Sequence, residues 1–291
     1  MGRRSAGFAA ALASVLVAAP ASARMHAGPN MLEAGHRLKG AAVVDTMATS
    51  LSAAYSFRKV RSAYAGPSMR LWRADLTQQD IGFTASGDFD TAAAFAFCTG
   101  SAWCVANTIY DQSGNARHVA NPNGPPYNAA ILFNCVGDKP CLNGGTQSIN
   151  TAASFTPSGP QSYSSVSRAD AVAVNCTLTY AASHGVIVNS GQPQSWLLWN
   201  GSTGLFAPAA LGGWHAAEAV VNGASTVFAI DGVDTTGTLA VSATPGPVQL
   251  VNMNDGGKFC SWTEGIWWNG YALSANERAA LNANQQSFWG F

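Results

Sequence analysis

Charge is scarce in this chain: only 10% of its 291 residues are Asp, Glu, Lys or Arg, and Glu occurs four times. Lys and Arg form no cluster, and a surface that neutralises phosphates needs one, so nucleic acid is not an expected partner. There is no CxxC pair and the five His residues are scattered, so the ligand spacing of a structural zinc site is missing and neither metal nor cofactor is expected. Beyond the N-terminus, no apolar run reaches the roughly eighteen residues that a membrane-spanning helix requires. A transmembrane segment is therefore not expected.

The N-terminus itself has the layout of an export signal. Arg3 and Arg4 precede an apolar stretch from Phe8 to Ala19 and the small-residue site Ala21-Ser22-Ala23, which predicts cleavage after Ala23. The mature chain then has a formal charge of −2. Secretion or periplasmic export fits the six cysteines, which in an oxidising compartment read first as bridges. Cys98 with Cys104, and Cys135 with Cys141, would close two short loops. Cys176 and Cys260 would either pair across the fold or remain as buried thiols.

Abundant Gly, Ser, Thr, Asn and Ala suits short strands joined by many turns, and about 268 residues suffice for one large β sandwich. Residues 24–50 are weakly patterned and read as an irregular arm before a single domain over 51–291. Ser68 to Arg73 alternates like a half-buried strand, and Asp80 to Phe83 opens the next. Asp90 is an N-cap candidate for a short helix over Thr91 to Phe97. Residues 121–160 hold most of the Pro and Gly and read as loops. Strands are expected at 171–180, 184–189, 195–199, 214–221, 226–230, 248–252 and 262–268, with turns at Asn222-Gly223, Asp231-Gly232 and Asp255-Gly256-Gly257. Ser274 and Glu277 form a capping box that starts a final helix over about 275–286. The fold class is all-β, a two-sheet antiparallel sandwich with short helices.

Two C-terminal stretches, Trp214 to Gly223 with Val227 to Gly232, and Glu264 to Ser274, resemble the paired and closing strands of laminin-G-like and concanavalin-like jelly rolls. The N-terminal half is more particular. Ala54-Tyr55-Ser56-Phe57-Arg58, Arg70 to Asp75, Phe97-Cys98 with Cys104, and Ile109-Tyr110-Asp111-Gln112-Ser113-Gly114-Asn115 resemble, in order, the catalytic domain of α-L-arabinofuranosidase B. That resemblance implies a sugar site and retaining hydrolysis by two carboxylates.

Retaining glycosidases place a nucleophilic carboxylate about 5–5.5 Å from an acid/base carboxylate. Asp255 stands where the family's acid/base Asp is expected, while Glu264 and Glu218, the latter on the strand face it shares with Ala216 and Val220 and facing solvent or a concave groove, are the other catalytic candidates. The family's nucleophile region corresponds to about Asn175 to His184, which holds Cys176 and no acid; no Asp or Glu occurs between Asp170 and Glu218. Either Glu218 serves from a neighbouring strand or the double displacement is absent, and the second reading is favoured. The plainer roles are that Asp111 and Asp231 hold their own turns, and that Glu264 is structural on a closing strand. Nine Trp residues offer flat platforms for sugar rings; Trp103, Trp199 and Trp262 are the substrate-binding candidates. Three functions compete: an arabinofuranosyl hydrolase, a non-catalytic glycan-binding or adhesion protein, and a structural envelope component. The sequence leaves the oligomeric state open.

Overall fold

A computed structural model describes residues 43–47, 51–120, 130–143, 149–151, 156–169, 179–180, 184–189, 195–200, 202–241, 246, 248–250 and 260–291. The strands in its first half are β1 (Leu51–Ser56), β2 (Met69–Arg73), β3 (Gln78–Ile81), β4 (Cys104–Ile109), β5 (Val119–Ala120), β6 (Ala130–Val136), β7 (Lys139–Asn143) and β8 (Ile149–Thr151). In the second half come β9 (Gln161–Ala169), β10 (Thr179–Tyr180), β11 (His184–Asn189), β12 (Ser195–Asn200) and β13 (Gly204–Pro208). They are followed by β14 (Trp214–Val221), β15 (Gly223–Ile230), β16 (Val233–Leu239), β17 (Val248–Leu250) and β18 (Cys260–Asn269). Among the described residues they are accompanied by the helices α1 (Thr91–Cys98) and α2 (Ala275–Trp289).

One layer runs β16-β15-β14-β9-β18-β1, every neighbouring pair antiparallel. The other runs β3-β2-β4-β5-β8-β17-β10-β11-β12-β13, also antiparallel. The β6–β7 hairpin joins β4 to β18 and so makes the hydrogen-bonded network continuous. Alternation along each strand explains the core. Tyr55, Tyr163, Ala217, Ala219 and Trp267 of the first layer pack with Met69, Leu71, Ile109, Trp196, Leu198, Val248 and Leu250 of the second. Residues of opposite parity, Val220, Ile266 and Trp268, point to the other face and pack under α2 with Leu273 and Leu281. The adjacent Trp267 and Trp268 thus go to opposite faces, the first stacked on Tyr163, the second donating its Nε1–H to Met47 O at 3.0 Å. Val44 and Met47, in and beside a helical turn over residues 43–46, are buried in that second cluster.

Local signals account for the ends of the elements. The Asp90 carboxylate accepts from Ala93 N and caps α1, and Ser274 with Glu277 forms the reciprocal box that caps α2. Helix α2 runs one turn past the expected end, to Trp289, because Leu281, Gln285 and Trp289 bury a continuous stripe. Asp231 and Gly232 both take positive φ, 52° and 80°, in the two-residue β15–β16 hairpin. Asp231 holds that turn to the neighbouring strand, accepting from Ala216 N at 3.0 Å and meeting His215 Nδ1 at 2.6 Å. Within 121–160, expected as loops, residues 130–143 instead form a strand hairpin. Its tip is Gly137 at φ 61°, and the Cys135–Cys141 disulfide ties its arms. Of the described Gly and Pro residues in 130–143, Gly137 marks the turn of this hairpin and Pro140 lies within β7.

The Cys98–Cys104 bridge joins the end of α1 to the start of β4. Replacing both cysteines by Ala is expected to lower unfolding free energy by about 2 kcal/mol, the loop-entropy value for so short a loop. Urea titration checks it; an unchanged midpoint would mean that the unfolded chain is already compact there. Whether Cys176 and Cys260 pair or stay as buried thiols lies outside the described residues, as do the Asp255 turn and all but Thr179 and Tyr180 of the strand expected at 171–180. Among the described residues no helix is long and apolar enough to cross a membrane.

Candidate functional site

The segment from Tyr110 to Asn115 works as a clamp along one edge of β1, whose other edge is bonded to β18. Asp111 is buried, and its Oδ1 accepts from Ala54 N at 2.9 Å and Ser113 N at 2.8 Å. Its Oδ2 accepts from Ser113 Oγ at 2.7 Å and Arg117 N at 3.0 Å. Gln112 donates to Ser56 O and Arg58 O and accepts from Val60 N, while Asn115 donates to Leu51 O and Ser52 O. Side chains thus satisfy backbone groups that an edge strand would leave open. Every acceptor position of Asp111 is committed to this turn and its neighbour, which is the plainer of its two roles.

Glu264, on β18, is fully buried and surrounded by donors. Arg58 grips it through Nε at 2.6 Å and Nη2 at 2.8 Å, Ser56 Oγ donates at 2.9 Å, and Gln285 Nε2 reaches down from α2 at 3.0 Å. Burial alone would raise its pKa, but the Arg58 charge and these hydrogen bonds outweigh that and hold the carboxyl below its ordinary value. Phe288 of α2 covers the guanidinium, 4.7 Å from the ring centre. The group is a rivet between β1, β18 and α2.

Glu218, on β14, was expected to face solvent or a groove; α2 lies over that face instead and the side chain has no exposure. Neither carboxylate oxygen has a hydrogen-bond partner. Burial, then the nearby Asp231, push its pKa well above the ordinary glutamate range, with Arg278 opposing. Glu218 together with Asp234, Arg278, Ala279 and Asn282 lines a cavity of about 290 Å³ between β14–β16 and α2, yet the Glu218 side chain has no exposed surface. Ala216, Glu218 and Val220 do share a face by alternation, and α2 packs over Glu218 and Val220, so Glu218 borders a cavity but has no exposed surface.

Of the Trp platforms, Trp262 is 1% exposed and belongs to the core, so it offers no ring face to a ligand. Trp103 and Trp199 are partly exposed, the first inside the Cys98–Cys104 loop and the second near the end of β12. The structure therefore does not bring Glu218, Glu264 and the Trp candidates together around one open cleft. A concavity of about 620 Å³ lies elsewhere, beside Lys59, Tyr64 and Phe83. None of these three stood out in the sequence; the signal that could have marked them is a pair of Gly-rich turns, Gly66-Pro67 and Gly82 to Gly87, each beside an aromatic.

Residues 43–133 match the family model for the catalytic domain of α-L-arabinofuranosidase B. The chain resembles that family. The matched span contains the β1 segment, the first disulfide loop and the Asp111 clamp. A GH54 α-L-arabinofuranosidase variant soaked with 4-nitrophenyl α-L-arabinofuranoside superposes with a TM-score of 0.64 at 17% identity, over 84% of this chain and 64% of that one. An arabinofuranosidase complexed with arabinofuranosyl-α-1,2-xylobiose gives 0.58 at 17% identity, with the same coverage. At such identities the likeness is one of fold, a β sandwich with α-L-arabinofuranosidase topology. The chain spans less than two thirds of the length of these structures. No curated protein matches it.

Proposed function

We propose that this is an exported jelly roll that binds arabinofuranosyl-bearing glycans without running the two-step retaining hydrolysis. The resemblance over residues 43–133 supports the sugar class. The export signal at Arg3 to Ala23 and the two disulfides support secretion. The observation that carries the non-hydrolytic part is the sealing of Glu218 and Glu264 beneath α2. A nucleophilic carboxylate must touch the anomeric carbon and stand near its acid partner. Glu264 has all its donors supplied from within, and Glu218 sits under a helix, so neither reaches a sugar. Asp255 then serves as a hydrogen-bonding group rather than an acid/base, and the partly exposed Trp103 and Trp199 as outlying contact surfaces, secondary to the main binding groove.

Two assays on the purified mature chain test this reading. Arabinoxylan cast into a native gel is expected to retard the protein, while 4-nitrophenyl α-L-arabinofuranoside is expected to release no nitrophenol even at high protein concentration. Steady release that disappears in Asp255→Asn would replace the binding reading with a hydrolase. Absence of retardation by arabinoxylan, arabinan and other polysaccharides would remove the glycan reading altogether.

A further inference from the structure

The chain between β1 and β2 and the turn after β3 enclose an open groove of about 620 Å³, lined by Lys59, Ser62 and residues 64–67 and 82–87. That is within the volume range of ligand sites. Tyr64 and Phe83 meet there edge to face, ring centres 6.3 Å apart at 78°, so two aromatic surfaces form a corner. Ser62, Thr84, Ser86 and Lys59 also line it, the Ser62 hydroxyl being donated to Asp45. The other basic side chain nearby, Arg61, is engaged by Asp45 at 2.8 Å. The lining therefore combines flat apolar faces with short neutral hydrogen-bonding groups and one cation.

The groove is also held in shape. Tyr64 donates its hydroxyl to Pro67 O at 2.8 Å, and its ring lies across Gly66 so closely that a Cβ there would stand 2.5 Å from the hydroxyl oxygen. Burial raises the Tyr64 pKa to about 12, so the hydroxyl keeps its proton and the anchor persists across ordinary pH. The opposite wall is a tight turn in which Thr84 N donates to Asp88 O at 2.7 Å and Gly87 N to Thr84 O at 3.0 Å. Lys59 N donates to Gly87 O at 2.7 Å and fastens that turn to the other wall. Ser86 Oγ, bonded to Asp88 Oδ2 at 2.7 Å, and Thr84 Oγ1, 2.7 Å from Ser86 Oγ, are fixed in the same turn. A groove shaped before binding avoids most of the ordering cost that a mobile loop would incur.

We infer that the Tyr64–Phe83 groove is a glycan-binding cleft, in which the aromatic corner seats a sugar ring and Lys59, Thr84 and Ser86 hydrogen-bond its hydroxyls. Sugar rings present apolar C–H faces and equatorial or ring-edge hydroxyls, which match this pairing of aromatic face and fixed short polar groups. The cleft deepens the proposed function and rests on it, since it names where on the fold the glycan lies, away from Asp255 and the Trp candidates in sequence.

The test is affinity electrophoresis of the full mature chain in gels containing wheat arabinoxylan or linear arabinan, with wild type, Phe83→Ala, Lys59→Ala and Ala85→Glu. Ala85 is exposed on the groove's rim, so its replacement obstructs the cleft without entering the core. Phe83→Ala and Ala85→Glu are each expected to weaken retardation at least tenfold, and Lys59→Ala about threefold, with thermal midpoints near that of the wild type. Wild-type binding that is unchanged in both Phe83→Ala and Ala85→Glu overturns the cleft while leaving the glycan reading intact. Failure of the wild type to bind either polysaccharide overturns both.

Discussion

Replacing Arg58 by Met is expected to lower the unfolding free energy by about 3–5 kcal/mol, the usual cost of leaving one member of a buried ion pair alone. The carboxylate of Glu264 would remain fully buried with only Ser56 and Gln285 as donors. Because the pair joins β1, β18 and α2, all three elements lose their common anchor. The double variant Arg58→Met with Glu264→Leu should recover most of the loss, since desolvating two charges offsets much of what their attraction contributes. Guanidinium titrations of the three proteins decide the matter: a single variant within about 1 kcal/mol of wild type would show that solvent enters this site. The linkage has a definite sign. Glu264 is held below its ordinary pKa in the folded state, so its contribution is present above the ordinary glutamate range and is lost as pH falls through the folded value.

The second large effect runs in the opposite direction. Glu218→Leu is expected to stabilise the protein by about 1–3 kcal/mol, because it removes a buried carboxyl that has no hydrogen-bond partner. Leu is close to Glu in length and would pack beside Val220 and the apolar side of α2. Here the folded pKa is raised, so the folded state binds the extra proton. Wild-type stability should therefore decline as pH climbs from the ordinary glutamate range toward the folded value, and the decline should be absent in Glu218→Leu. Thermal melts from pH 4 to 9 on both proteins check this; parallel curves would mean that Glu218 is solvated or paired in solution. If Glu218 instead served as a nucleophile, the same substitution would abolish release of arabinose, an outcome contrary to its place beneath α2.

These two carboxylates illustrate how far the chain could be read in advance. Alternation placed Glu218 on the same face as Ala216 and Val220, and that face was correct. What lies over a sheet face is not encoded in the strand, however; it depends on where a helix sixty residues further on comes to rest. Trp262 shows the same limit from the other side. Its strand was recognised, yet which face became the core depended on pairing with β9, where a register shift between Trp262 and Glu264 changes the alternation.

Local rules were dependable wherever a few neighbouring residues settle the outcome. The two short disulfide loops, the Asp90 cap, the Ser274–Glu277 box and the Asp231-Gly232 hairpin could be read from their residues because each is decided by backbone chemistry within about six positions. The sandwich was legible too, since period-two patterning and frequent turns admit few other ways to bury the apolar positions. Folding in three dimensions alone determined that the Tyr110–Asn115 run clamps β1, that Arg58 meets a Glu more than two hundred residues away, and that Tyr64 and Phe83 form the walls of one groove. Each depends on contacts between segments far apart along the chain, and such contacts arise from how the layers and α2 pack rather than from any local preference.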